Sequence, residues 1–240
     1  MSNKKLVNYY EKIKDKQTFY NPNEKECLMS HPRHHCIVGN TGAGKSLFTI
    51  NCFQQLGCFE RYLICCKMKQ EPLYEYLQQK IGSVDSSRIT IVDSVYDLPP
   101  VESLTKEAGA DCLQTAIVFD DMINESKKVL DAISNYFIMA RKINGGGSVF
   151  MLSQSWFKIP RVVRLNSHYI SILKVGNPKE FRHLNSDLGL ELEPKELQKL
   201  YNYATQDRNA LVIDQTQFKD KDKFRMNFTK INPYELLEEL

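Results

Sequence analysis

The sequence predicts an α/β fold, with a mostly parallel central sheet flanked by helices and a hairpin-like C-terminal extension. Three observations predict it. A short apolar run ends in a glycine-rich loop that leads into a helical pattern. A second apolar run, Thr115-Ala116-Ile117-Val118-Phe119, ends in two adjacent carboxylates, Asp120 and Asp121. Around these, short β-like runs alternate with helical stretches, the rhythm of strand–helix–strand units.

Composition narrows the class. The 240 residues are 42% hydrophobic and 25% charged, the proportions of a globular chain rather than a disordered one. No apolar run approaches the roughly 18 residues of a membrane-spanning helix, so an integral membrane pump is excluded and no membrane insertion is expected. The N-terminus has early lysines but no apolar core, so it does not read as a secretory signal. Seven cysteines form an odd set without a C-x-x-C pair, and most sit in apolar stretches; they read as buried thiols in a reducing compartment. His31, His34, His35 and Cys36 cluster, yet His35 and Cys36 face opposite ways on a strand and no second ligand pair follows. A zinc site is not expected there.

In chain order, residues 1–29 read as an N-terminal extension and 30–240 as one domain. The first strand candidate is 35–39. It runs into Gly39-Asn40-Thr41-Gly42-Ala43-Gly44-Lys45-Ser46, which fits G-x-x-x-x-G-K-[ST] at every specified position. Residues 47–53 continue with helical apolar spacing, and Gly57 supplies a stop. Glycines let successive backbone N–H groups point into one concavity, and the positive end of the helix adds to the field there. Lys45 is placed to bridge β- and γ-phosphates, and the Ser46 hydroxyl to hold Mg²⁺. The nucleotide contacts are expected to run from Gly39 to Leu47. This is a phosphate-binding loop, or P-loop, for a nucleoside triphosphate.

Such a loop needs an acid at the end of a buried strand. Asp120 is the expected metal carboxylate, with Asp121 polarising the attacking water, because neighbouring side chains on a strand end point in different directions. A helix follows, with Asn124 as its candidate cap and Val129, Leu130, Ile133, Phe137 and Ala140 on its apolar stripe. It ends at Arg141-Lys142, before the Gly145-Gly146-Gly147 turn. Residues 148–153 form the next strand candidate, and Gln154 stands at its carboxyl end, where open α/β sheets bind ligands; it is placed to sense the γ-phosphate. Two further β-like runs, 61–66 and 88–93 with a helical stretch at 73–81 between them, lie between the loop and Asp120. They suit the RecA-like ASCE class of P-loop NTPases, which has an added central strand and a separate water-activating residue. Neither N-K-x-D nor D-x-x-G occurs, so ATP is the expected nucleotide. Pro178 and Pro194 open helices near 178–186 and 194–204. Strands at 210–214 and 224–228 end the fold, with a polar loop at 215–223 between them.

The net charge is only +3, but residues 141–182 carry +7 and the remainder −4. That block reads either as a polyanion-facing surface or as a solvated face with acids opposite in space.

The runs HPRHHCIVGNTGAGKS, IVFDD and ARKINGGGSVFMLSQSWFKIPRVVRLN together resemble the genome-packaging ATPases of large cytoplasmic DNA viruses and virophages, within the FtsK–HerA superfamily. The resemblance covers approximately residues 30–230. It implies an ATP-hydrolysing motor that assembles as a homo-oligomeric ring and moves double-stranded DNA of any sequence into a capsid. It further implies a partner at the capsid or portal vertex and a place in the host cytoplasm, in a virus factory or the virion. Gly44, Lys45 and Ser46 match the family's phosphate and magnesium loop, Asp120 its metal carboxylate and Gln154 its sensor. Asp121 stands where many members have glutamate, one methylene longer. The ring implies an arginine supplied in trans, for which Arg141, Arg161 and Arg164 are the candidates, with Arg164 or Arg141 favoured. Arg141 ends a helix, whereas Arg161 and Arg164 are read in the loop after the sensor strand. Trp156 and its basic neighbours either touch DNA phosphates or anchor that loop to the core. A small-molecule P-loop kinase and a non-hydrolysing, nucleotide-dependent docking switch are the alternative functions.

Overall fold

The computed structural model describes residues 12, 18–68, 71–176 and 178–239, with backbone alone at 178–182. Nine strands form one sheet: β1 (His35–Val38), β2 (Arg61–Cys66), β3 (Ile89–Val92), β4 (Thr115–Asp120), β5 (Gly147–Ser153), β6 (Tyr169–Ile172), β7 (Leu211–Asp214), β8 (Phe224–Met226) and β9 (Thr229–Lys230). They lie in the order β3-β2-β4-β5-β1-β6-β7-β8-β9. The pairings from β3 to β6 are parallel, and β6–β7, β7–β8 and β8–β9 are antiparallel. The expected mixed architecture, with its C-terminal hairpin, is the one observed.

Strand alternation builds two cores. One face carries Cys36, Val38, Ile117, Phe119, Val149 and Met151 against the helices Lys127–Met139, Arg161–Asn166 and Pro194–Ala204. The other carries Ile37, Ile64, Val118, Phe150 and Leu152 against the helices Lys45–Leu56 and Pro72–Gly82. Because the central strands are covered on both faces, they read as continuous apolar runs. His35 and Cys36 do part to opposite faces: His35 stacks on Phe150, while the Cys36 thiol meets the Ser167 hydroxyl. Among the described residues, no group of three or more His, Cys, Asp or Glu is placed to hold a metal ion. Cys27, Cys36, Cys52, Cys58, Cys65 and Cys66 are buried, and among the described residues no helix is long and apolar enough to cross a membrane.

Several elements differ from expectation. The strand between the two halves of the site in space is β5; the two runs that separate them in sequence, β2 and β3, lie outward of β4. Strand β6 is not among the expected strands, although its tyrosine and two isoleucines favour extended backbone. Arg161 and Arg164 stand on a six-residue helix rather than in a loop. Val162-Val163 lowers helix propensity there, and full burial of Val163 overrides it. Ser126, not Asn124, is the N-cap of Lys127–Met139; Asn124 closes a 3₁₀ turn and accepts from Lys158. The last strand run is broken into β8 and β9 by Asn227, whose φ of 53° turns the chain back. The described end of the N-terminal extension joins the core, with Cys27 and Met29 buried and Asn23 donating to the Gln55 carbonyl.

Candidate nucleotide site

The loop 39–46 leaves the carboxyl end of β1 and closes on the helix Lys45–Leu56. Gly39 N–H donates to the Ser153 carbonyl and Asn40 N–H to the Lys174 carbonyl, so β5 and the segment after β6 brace the loop from both sides. Gly176 N–H donates to the Asn40 side chain. Gly42 and Gly44 hold φ values of 75° and 95°, a backbone region that side-chain-bearing residues avoid; Gly44 is also the helix N-cap. The N–H groups of the helix's first turn therefore face the concavity.

Lys45 is nearly buried and donates to the Gly39 and Asn40 carbonyls at 3.1 and 3.3 Å. Opposite it, Asp120 ends β4. Its Oδ2 accepts from the Ser46 hydroxyl at 3.2 Å and from the Tyr74 hydroxyl at 2.7 Å. Burial raises the Asp120 carboxyl above its ordinary range; the Tyr74 hydrogen bond opposes that shift and the Asp121 charge adds to it. Oxygen donors from Ser46 and Asp120 meeting beside a phosphate loop are the hard ligand set that Mg²⁺ takes together with phosphate and water. The residues fit that ion.

Asp121 turns the other way. Its backbone sits at φ 54°, ψ 31°, a left-handed conformation that takes its carboxylate away from Asp120. There its Oδ1 accepts from Gln154 Nε2 at 3.4 Å. The carboxyl ends of β1, β4 and β5 thus bring together Lys45, Ser46, Asp120, Asp121 and Gln154. They line or border a cavity of about 300 Å³ that also takes in Thr41, Cys66, Met68 and Glu71. Beside its wall, Lys67 pairs with Glu125 at 2.5 Å.

Tyr74 is the site residue that sequence reading missed. It is fully buried, and its place on an apolar helical stripe gives no local sign that its hydroxyl reaches a carboxylate 46 residues away.

The fold is similar to that of solved structures. The DNA-packaging ATPase B204 of Sulfolobus turreted icosahedral virus is similar at TM-score 0.51 and 14% identity, over 78% of this chain and 95% of that one. The genome packaging NTPase B204 of Sulfolobus turreted icosahedral virus 2 is similar at TM-score 0.52 and 14% identity in its sulfate complex, over 79% and 95%. In its AMPPCP complex the values are 0.51 and 17%, over 78% and 95%. The fold is that of a P-loop NTPase. No protein-family model matches the sequence, and no curated protein matches it.

The three candidate arginines of this P-loop fold have different surroundings. Arg164 is committed within the chain: it pairs with Asp187, donates to the Ile159 carbonyl and lies over the Trp156 ring. Trp156 is buried and donates to Asp187 at 2.8 Å, which makes it the loop's anchor. Arg161 is exposed and has no ion pair among the described residues. Arg141 is exposed at the opposite edge of the sheet, in a 3₁₀ turn before β5. The basic block is therefore no single face. Arg141 and Lys142 lie at the amino edge, Lys174 lies beside the P-loop, Lys158 holds Asn124, and the Lys179 and Arg182 side chains lie outside the described residues.

Proposed function

We propose that this chain is an ATP-hydrolysing motor that moves double-stranded DNA, without regard to sequence, into a viral capsid as a homo-oligomeric ring of the FtsK–HerA type. The observation that carries the hydrolytic reading is the convergence of Lys45, Ser46, Asp120, Asp121 and Gln154 at the carboxyl ends of three adjacent strands. The packaging reading rests on two likenesses: the sequence runs around the loop and the sensor strand, and the fold shared with B204.

In this reading the backbone N–H groups of 39–47 hold the phosphates. Lys45 exchanges its two loop carbonyls for β- and γ-phosphate oxygens, a charge-assisted trade that its burial strengthens. Ser46 and Asp120 hold Mg²⁺, which supplies charge neutralisation on the phosphates when bound. Tyr74 fixes the Asp120 rotamer. Asp121 orients the water and takes its proton as the water oxygen bonds to the γ-phosphorus. The bond to the β–γ bridging oxygen breaks, and ADP leaves with that electron pair. Gln154, bonded to Asp121, reports whether a γ-phosphate is present. Arg161, exposed and without an ion pair among the described residues, is the foremost candidate for the arginine given to a neighbouring subunit, with Arg141 second; Arg164 already serves its own chain.

ATPase assays with and without duplex DNA test the reading, together with mixed assemblies of Lys45→Ala and Arg161→Ala chains. The expected results are stimulation by DNA and partial recovery of activity in the mixture. Equal rates with and without DNA across salt concentrations overturn the motor.

A further inference from the structure

A second cavity, of about 1280 Å³, opens at the amino edge of the sheet. Its wall is assembled from the residues that precede β1, β5 and β6 and follow β7: Arg33, His34, Arg141, Lys142, His168 and Gln215. The nucleotide loop lies at the far end of β1, and four strand residues put about 13 Å of backbone between them.

The wall presents donors. Val149 N–H donates to His34 Nδ1 at 3.2 Å, so the His34 proton resides on Nε2. His34 N–H donates to His168 Nδ1 at 3.1 Å, which puts the His168 proton on Nε2 as well. Burial drives His34 well below its ordinary value, with His168 and Arg141 adding to the effect. His168 falls to about 4, from burial first and then from Arg33 and Arg141. Both rings are therefore neutral N–H donors at pH 7. His34 is 1% exposed, yet among the described residues its Nε2 has no partner, and the same holds for the buried Arg33 Nε and Gln215 Nε2. Two acids reach the rim. Asp187 is engaged by Arg164 and Trp156, and Glu24 is exposed.

Three buried donors unpartnered among the described residues, one of them on Arg33, with Arg141 and Lys142 beside them, make a site for oxygen acceptors bearing negative charge. A neutral ligand would leave the Arg33–Arg141 repulsion in place, and a cation would add to it. A phosphate offers several acceptor oxygens to these donors and matches the fork of each guanidinium.

We propose that this amino-edge groove binds a phosphate ester, held by Arg33, Arg141 and Lys142 and hydrogen-bonded by His34 Nε2–H. The same chemistry is presented by a nucleic-acid backbone and by the triphosphate of a nucleotide on a neighbouring copy. The groove is separate in space from this chain's own P-loop.

The test uses the Lys45→Ala chain, in which the nucleotide loop is disabled. Inorganic phosphate is titrated while the ¹⁵N-labelled histidine ring signals are followed by NMR. The His34 and His168 ring N–H signals are expected to shift saturably, and Arg33→Gln with Lys142→Gln to weaken the apparent Kd at least tenfold at a melting temperature no lower than that of the parent chain. Displacement of phosphate by a 20-base-pair duplex assigns the groove to a nucleic-acid backbone; displacement by ATP alone assigns it to a neighbour's nucleotide. Ring signals that do not move, or equal affinity in the double variant, overturn the proposal. So does a phosphate response seen in the wild-type chain and lost in Lys45→Ala, because the anion then sits at the loop.

Discussion

The two edges of this sheet manage charge in opposite ways. At the carboxyl edge each functional group has a partner inside the chain: Lys45 rests on two carbonyls, Asp120 on Ser46 and Tyr74, and Asp121 on Gln154. At the amino edge, buried N–H groups of Arg33, His34 and Gln215 stand unmatched among the described residues. A buried donor left unmatched costs about 1–3 kcal/mol. The difference teaches that a site built for a reaction cycle is internally satisfied, so that each step exchanges one partner for another. A site built only to hold an anion carries its cost until the anion arrives.

The sharpest way to break this contrast is Lys45→Ala. Hydrolysis should fall by about 10³-fold, the scale of removing a charged donor from a developing oxyanion. A steady-state phosphate-release assay measures it, and the His34 ring shift on adding phosphate should survive. Loss of both would mean that the two edges are one site.

Next in size is the Asp121–Gln154 contact. Asp121→Asn keeps the left-handed backbone, which asparagine tolerates, and Gln154→Ala removes the amide. Each should lower kcat by about 10²-fold, the scale of general-base catalysis, with KM held within about threefold. If the pair acts as a unit, the double variant should be little worse than either single one. Full additivity of the two losses would show that the 3.4 Å contact carries no function.

Tyr74→Phe should cost less, about tenfold in kcat/KM, because Asp120 keeps its Ser46 partner. The readout that separates positioning from packing is the pH profile. The Tyr74 hydrogen bond opposes the rise of the Asp120 carboxyl, so removing the hydroxyl raises it further. The acid limb of kcat/KM should then move to higher pH. An unmoved limb would make Tyr74 a packing residue only.

The same contrast explains what the sequence made legible. The carboxyl edge was readable because phosphate chemistry dictates contiguous residue types: glycines for the turn, a lysine and a hydroxyl after it, and an acid where an apolar strand stops. Gln154 was readable because a strand's carboxyl end is a place where ligands bind. Tyr74 was not, since a tyrosine on an apolar helical stripe looks like any core residue until the helix is docked. The amino edge was less readable still. Its residues come from segments as far apart as Arg33 and Gln215, and each is ordinary in its own stretch. The His31–Cys36 cluster drew attention as metal ligands, but the partners that matter to His34 are Val149 and His168, far away along the chain. The basic block was visible as a charge count, yet its members divide between the two edges because β5, between Lys142 and Lys158, carries the chain from one to the other.

The smallest effect bears on whether the satisfied edge is free of cost. Burial holds the Asp120 carboxyl above its ordinary 3.8, so the folded chain binds that proton more tightly than the unfolded chain does. Between the unfolded value and the raised folded value, the native state carries the excess proton. The unfolding free energy contributed by this group therefore falls as pH rises through that window, and above it the destabilisation is complete. Asp120→Asn abolishes the titration while keeping an acceptor for Tyr74 and Ser46. In the absence of nucleotide and Mg²⁺ the variant should melt higher at pH 7, by about 2 °C for a chain of this size. Its advantage should shrink as pH is lowered through the window, as read by paired thermal melts. A variant less stable than wild type at pH 7 would mean that the paired carboxylate stabilises the empty fold, and that only the amino edge trades stability for binding. The expected sign says instead that both edges do: one with a charge it has partnered but not fully compensated, the other with donors it has not partnered at all.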